Sequence, residues 1–294
     1  MTRYIVLGCG HTGTTLISGI MHRSGFWGCD IEEHFESLPL TAINEGIKCG
    51  NINKEYEIRR FFQCLEKQSC GVWTLKDPRN AETIFTLNDY INTPFSIILN
   101  FRHPANTIKH LMMYDYDGLK GEVEKKKFCE KQYMRLYKNS LDFIAAHPEI
   151  PVLIVHYDDL VDRKLDHVIS RFIGKEADFS LINPKRRRSE PVEVSPEVNG
   201  LYEEMLVLYR RNITDILLNT AALYKREPIR KKISDARFLF RKIYWRCRDS
   251  INEKSLRWRL KLTFQKKYGW ESYSEGLEKP GARGDKKEPG ILAK

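Results

Sequence analysis

The segment Gly8-Cys9-Gly10-His11-Thr12-Gly13-Thr14-Thr15 follows a short apolar run at residues 4–7 and leads into an amphipathic stretch at residues 14–23. Glycines at such a junction let the chain turn tightly, and the free N–H groups of the helix behind it carry a partial positive charge. The expected occupant is therefore an anion. Three nucleotide chemistries compete for the loop. It keeps the spacing of a G-x-x-x-x-G-K-[ST] phosphate loop, but Thr14 stands where the lysine of a nucleoside triphosphatase belongs. The apolar run at residues 95–101 also leads into Asn100-Phe101-Arg102 and not into a magnesium-binding aspartate. Gly8, Gly10 and Gly13 also read as G-x-G-x-x-G, a dinucleotide fingerprint that needs a second strand ending in an acid roughly 20 residues on. Asp30 lies near that distance, but Ser24-Gly25-Phe26-Trp27-Gly28-Cys29 makes a poor buried strand.

Three further motifs follow the loop. They are Leu75-Lys76-Asp77-Pro78-Arg79, then Ile97-Ile98-Leu99-Asn100-Phe101-Arg102-His103-Pro104, then His156-Tyr157-Asp158-Asp159-Leu160. In that order, each at the end of an apolar run, they resemble the motifs of the sulfotransferases that use 3′-phosphoadenosine 5′-phosphosulfate (PAPS), of the bacterial and Golgi type. The Gly13-Thr14-Thr15 loop is similar to the family's 5′-phosphosulfate loop, the Lys-Asp-Pro segment to its Lys-x-Pro, and the Arg102-His103-Pro104 turn to its 3′-phosphate motif. The resemblance covers residues 4 to about 225. It implies that Gly10, His11, Thr12, Gly13, Thr14 and Thr15 hold the 5′ end of the nucleotide, and that Arg102 and His110 hold its 3′-phosphate. Lys76 is implied to reach the transferring group, and no metal is required. Two residues differ from the family: His11 stands where an arginine is common beside the leaving group, and His110 stands where a serine follows the arginine by eight residues. Both keep a hydrogen-bond donor and make the site sensitive to pH.

Sulfuryl transfer between two oxygens asks a protein to deprotonate the acceptor hydroxyl and to stabilise charge on the leaving phosphate, largely by positioning and electrostatics. For the base, the family places a glutamate in the region of Asp30-Ile31-Glu32-Glu33-His34-Phe35. A Glu-x-His-Phe context selects Glu32, a Glu-Glu-Thr-Arg context selects Glu33, and His34 is the rival because imidazole titrates near working pH. Arg79 either hydrogen-bonds a ligand or starts a helix as part of an ion pair. Lys185-Arg186-Arg187-Arg188 is either a basic loop over the nucleotide or a solvated charge run. Tyr157 reads as structural.

The elements that must position these residues alternate. Apolar runs at residues 4–7, 72–75, 95–101 and 152–156 have the continuous character of strands buried on both faces. Residues 14–23, 57–66 and 122–147 carry apolar side chains at three- and four-residue spacing, a helix starts at Pro104, and Ser195-Pro196 opens a long helix over residues 196–224. The expectation is an α/β fold, a three-layer sandwich with a central parallel sheet, a P-loop-like phosphate-binding turn and a basic C-terminal extension.

The chain has 294 residues, 41% of them hydrophobic and 30% charged, enough for a folded domain with a sizeable core. Its charge of +10 is concentrated: residues 226–270 carry 15 Lys and Arg against 4 Asp and Glu, whereas residues 1–225 carry 29 against 30. The domain expectation is therefore a transferase domain over residues 1–225, an aromatic-rich basic extension over 226–270 that packs on that domain with its charges in water or else docks an acceptor or an anionic membrane face, nucleic acid being disfavoured, and a disordered tail over 271–294. Seven scattered cysteines without a Cys-x-x-Cys pair read as reduced thiols and argue against a zinc site. With neither a signal sequence nor a span-length apolar run, the expected location is the cytoplasm, with the extension resting on a membrane. The expected acceptor bears a hydroxyl, with a weak preference for a carbohydrate or glycolipid. The rival readings are another nucleotide-dependent P-loop-like transferase or kinase, and a non-enzymatic polyanion- or membrane-binding protein acting through the extension.

Overall fold

Four apolar runs become four parallel strands, β1 (Arg3–Leu7), β2 (Trp73–Lys76), β3 (Ser96–Phe101) and β4 (Val152–His156), ordered β2-β1-β3-β4. Every residue of β2 and β3 is buried, as expected of strands that read as unbroken hydrophobic runs. In register, Val6 pairs with Lys76 and Leu7 with Leu99, which brings the three strand ends level beside the glycine loop. A computed structural model of the chain describes residues 2–28, 34–50, 54–114, 116, 121–183 and 192–219, all within the first of its two units, Met1–Trp245. The base candidates Glu32 and Glu33, the Lys185 to Arg188 run, the basic extension and the tail lie outside the described residues.

The described helices are α1 (Thr14–Arg23), α2 (Leu38–Cys49), α3 (Lys54–Ser69), α4 (Asn80–Asn88), α5 (Pro104–Leu111), α6 (Glu122–Ala146), α7 (Tyr157–Val161), α8 (Asp166–Ile173) and α9 (Pro196–Asn219). With the right-handed crossovers that parallel strands adopt, α1 falls on one face of the sheet and α4 with α6 on the other; α1 packs on β1 and β2, and α4 packs on β1 and α6. On the α1 face, Tyr4 of β1 meets Phe26 edge-on at 5.1 Å and Phe172 of α8 at 5.9 Å. The chain leaves β1 toward β2 and then crosses back to β3 on the far side. The ends of β1 and β3 thus form the switch point at which open parallel sheets collect ligands.

Both outer edges of the sheet are covered. At β4, Asn212 of α9 does what a fifth strand would do: its Oδ1 accepts from the Ile154 N–H at 2.9 Å and its Nδ2 donates to the Val152 carbonyl at 2.9 Å. Asn212→Leu is expected to cost about 1–3 kcal/mol, because it strands two backbone groups under a helix. Thermal denaturation measures the loss, and an unchanged melting temperature would mean that water satisfies the edge. At β2, the segment after α1 runs alongside: Trp27 donates to the Val72 carbonyl at 3.1 Å and accepts from Thr74 at 2.9 Å, and the Ser37 N–H reaches the Lys76 carbonyl at 3.4 Å. No described helix is long and apolar enough to cross a membrane.

Candidate active site

At two positions of the glycine loop, Gly8 and Gly13, close contacts leave no room for a side chain. Gly8 has φ +141°, and a Cβ there would lie 2.5 Å from the Asn100 carbonyl oxygen of β3. Gly13, the residue before α1, has φ +91°, and its Cβ would lie 2.5 Å from Cδ2 of Tyr157. Between them Thr12 donates to the Cys9 carbonyl at 2.7 Å, and the buried Tyr137 hydroxyl donates to the Asn100 carbonyl at 2.8 Å. Burial, with Cys129 nearby, pushes the Cys9 thiol up to about 12, so Cys9 is a packing residue and not a nucleophile. Helix α1 begins with no side-chain cap and no acid in its first turn, leaving its N–H groups for an anion.

Lys76 ends β2 with 3% exposure. Its ammonium is ion-paired to the carboxylate of Glu36 and also reaches the His34 carbonyl at 3.4 Å and the Thr15 hydroxyl at 3.5 Å. Arg79 is held mainly by other acids: its Nε and Nη2 donate to Asp77 at 2.7 and 2.9 Å and its Nη1 donates to Glu45 at 2.6 Å, while its Nη2 lies 3.9 Å from the Glu36 carboxylate. Of the two readings of Arg79, the structure has the ion-paired helix start. Although burial opposes its charge, Asp77 and Glu45 hold it above the ordinary arginine value.

Arg102 follows β3 and is 5% exposed. Its guanidinium lies over the Tyr157 ring at 4.6 Å, the same ring that packs against Gly13. Among the described residues it has no carboxylate partner, and its buried Nε makes no hydrogen bond. Asn100, fully buried beside it, likewise leaves Oδ1 and Nδ2 without partners among those residues. Buried polar groups are rarely left so, and a buried guanidinium without a counter-ion is costly unless an anion joins it.

His110, near the C-terminal end of α5, stacks on His11 with ring centroids 5.5 Å apart and planes 24° apart, and Tyr114 lies 5.3 Å from His11. Both imidazoles are held below their ordinary pKa, His11 by burial and then by His110, Arg102, Lys76 and His34, and His110 by burial and then by Arg102. The loop residues, Lys76, Arg102 and the two histidines thus gather at one end of the sheet.

Three residues escaped the sequence reading. Glu36 follows the Asp30 to Phe35 segment read for a base and was not among its candidates; the Ser37–Lys76 ladder bond along the β2 edge brings it to Lys76. Asn100 was read only as a missing magnesium ligand, and Tyr114 falls in no motif. A second polar cluster at the end of β4 is structural. The Tyr209 hydroxyl donates to Asp159 at 2.9 Å, and His156 Nε2 lies 3.1 Å from the Tyr202 hydroxyl, which fastens α9 to the sheet.

No family model matches the chain, and no curated protein matches it. Among solved structures it is similar to the sulfotransferase domain from the curacin biosynthetic pathway, at 14% identity over 69% of this chain and 96% of that one, with a TM-score of 0.46. It is similar to the sulfotransferase domain from the Synechococcus PCC 7002 olefin synthase, at 17% identity over 77% and 95%, TM-score 0.47. A third likeness, to sulfotransferase STF9 from Mycobacterium avium, has 13% identity over 71% and 68%, TM-score 0.42.

Proposed function

We propose that the protein is a sulfotransferase that moves a sulfuryl group from PAPS to a hydroxyl-bearing acceptor, a carbohydrate or glycolipid in the reading taken from the sequence. The observation that carries this reading is the convergence of an uncapped, glycine-turned helix start with Lys76 and with a buried Arg102 that has no counter-ion among the described residues. A nucleotide phosphorylated at both ends matches two separate cationic positions, one at the loop and one at Arg102. A nucleoside triphosphate would need a lysine at Thr14, and a dinucleotide would leave Arg102 without its anion.

In this reading the loop N–H groups hold the 5′-phosphate and Arg102 holds the 3′-phosphate. The acceptor hydroxyl gives its proton to a carboxylate as its oxygen bonds to sulfur. The sulfur–oxygen bond to the 5′-phosphate breaks, and its electron pair stays on the phosphate oxygen. Lys76, together with the loop, stabilises that charge. Glu36 joins Glu32 and Glu33 as a candidate for the carboxylate, because it touches Lys76 and the other two lie outside the described residues.

Calorimetric titration with adenosine 3′,5′-bisphosphate, ATP and NAD tests the reading. Binding of the bisphosphate in clear preference to the other two is expected, and Arg102→Leu is expected to weaken it about 100-fold, equivalent to roughly 2.7 kcal/mol. Tighter binding of ATP or NAD, or no effect at Arg102, would overturn it.

A further inference from the structure

The stacked rings of His11 and His110 join the two phosphate motifs. One imidazole comes from the glycine loop and the other from the helix that follows Arg102, and they touch face to face at 5.5 Å. The surroundings of the pair are cationic. Arg102 at the end of β3, Lys76 at the end of β2 and His34 from the connection along β2 all act on His11, and Arg102 also acts on His110. The Tyr114 ring lies 5.3 Å from that of His11, and the carboxylate of Glu36 is ion-paired to Lys76. Two imidazolium ions stacked in this way repel one another, and burial and Arg102 add to that, so both rings are shifted toward the neutral form.

We infer that the His11–His110 stack is a proton-loading subsite: it takes up a proton together with the phosphorylated ligand, so that nucleotide binding and protonation are one coupled event. This rests on the reading of the site as a bisphosphate site and adds a consequence that a fixed arginine and serine would not have. A phosphate beside the stack converts the repulsion into attraction and raises the affinity of the pair for one proton. The second proton stays off, because the rings are too close to carry two charges without a second anion between them. The charge on the 5′-phosphate is greater after the sulfuryl group has left than before. The proton therefore favours the product side, and its loss favours release of the product nucleotide.

The sign of the pH dependence follows. The empty pair titrates below its ordinary value near 6.5 and the liganded pair above the empty value, so affinity is greatest below the empty-state value. It falls by up to about tenfold per pH unit between the two and levels off above the liganded value. The ligand's own phosphates, with a second pKa near 6, would release protons on meeting cations and cannot imitate the uptake.

The experiment is titration of the full chain with adenosine 3′,5′-bisphosphate near pH 7 in two buffers of different ionisation enthalpy. The difference in heat counts protons. Net proton uptake on binding is expected, with a Kd that rises as pH rises. The double variant His11→Asn with His110→Gln is expected to bind more weakly, with no uptake and a flat profile; asparagine suits the left-handed backbone of His11, which has φ +65°. Binding of the bisphosphate by the native chain without buffer-dependent heat overturns the inference and leaves the functional reading standing. Failure of the native chain to bind the bisphosphate overturns that reading, and this inference with it. Uptake that persists in a folded double variant assigns the proton elsewhere and overturns the inference alone.

Discussion

Lys76→Ala is expected to lower turnover by about 10²–10³-fold, the usual consequence of deleting a preorganised cationic donor from developing negative charge. Binding of adenosine 3′,5′-bisphosphate should change little, because the loop N–H groups and Arg102 still hold its two ends. The variant is also expected to be less stable. Lys76 is 3% exposed and Glu36 16% exposed at the side chain, and removing the lysine leaves Glu36 with only the longer contact to Arg79 Nη2 at 3.9 Å, so the cost stays below the range of about 3–5 kcal/mol that a fully buried, fully broken pair sets. A second substitution separates the two effects. Lys76→Ala combined with Glu36→Gln removes both charges and should recover much of the melting temperature while recovering none of the turnover. Glu36→Gln alone should reduce turnover by about 10²–10⁴-fold if Glu36 takes the acceptor's proton. Transfer at the native rate in Lys76→Ala removes the lysine from the mechanism. A native rate in Glu36→Gln, with a loss in Glu32→Gln or Glu33→Gln, would place the base three or four residues earlier in the sequence.

Gly8→Ala should damage both the fold and the site. Its φ of +141° belongs to a region that residues with a Cβ scarcely occupy, and the new methyl carbon would stand 2.5 Å from the Asn100 backbone oxygen. That oxygen cannot withdraw, since it closes the β3 end and accepts from Tyr137. Backbone strain of about 1–3 kcal/mol and a steric cost of similar size add to roughly 3 kcal/mol or more. For a chain of this length that is a fall in Tm of about 6–12 °C. Bisphosphate binding should be lost with it, because the loop N–H groups would no longer face one point. Gly10→Ala is the control. The nearest atom to a Cβ there is Leu111 Cδ2 at 3.9 Å, an ordinary contact, and stability should stay within about 0.5 kcal/mol of the native chain. Equal melting temperatures for the Gly8 and Gly10 variants would show that the loop yields where the contacts say it cannot.

The hydrophobic pattern and the tertiary structure divide the description of this protein between them. Residues 4–7, 72–75, 95–101 and 152–156 were legible as strands to within a residue, because a strand buried on both faces has no polar alternation to confuse it. α1, α6 and the start of α9 were legible from their stripes and from Ser195-Pro196. α2 and α4 were not. Their inward faces carry Asn44, Asn80 and Thr83, which hydrogen-bond one another at 2.7 and 2.8 Å, and Asn80 continues to the Val6 carbonyl at 3.3 Å. These polar residues interrupt the apolar stripes of Leu40 and Ile43 in α2 and of Ala81, Ile84 and Leu87 in α4, which leaves each stripe short.

The same division runs through the site. By itself the sequence determined that a glycine turn would stand at the start of α1, that Lys76 and Arg102 would stand at strand ends, and that imidazoles would occupy two positions beside them, because each depends on short-range order along the chain. Only the tertiary structure decided that β2, β1 and β3 lie side by side so that those ends meet, that Glu36 is the acid paired with Lys76, and that His11 and His110, 99 positions apart, stack. Those contacts depend on strand order and on which way a connection runs along an edge, and a one-dimensional pattern of side chains does not encode either until the sheet is assembled.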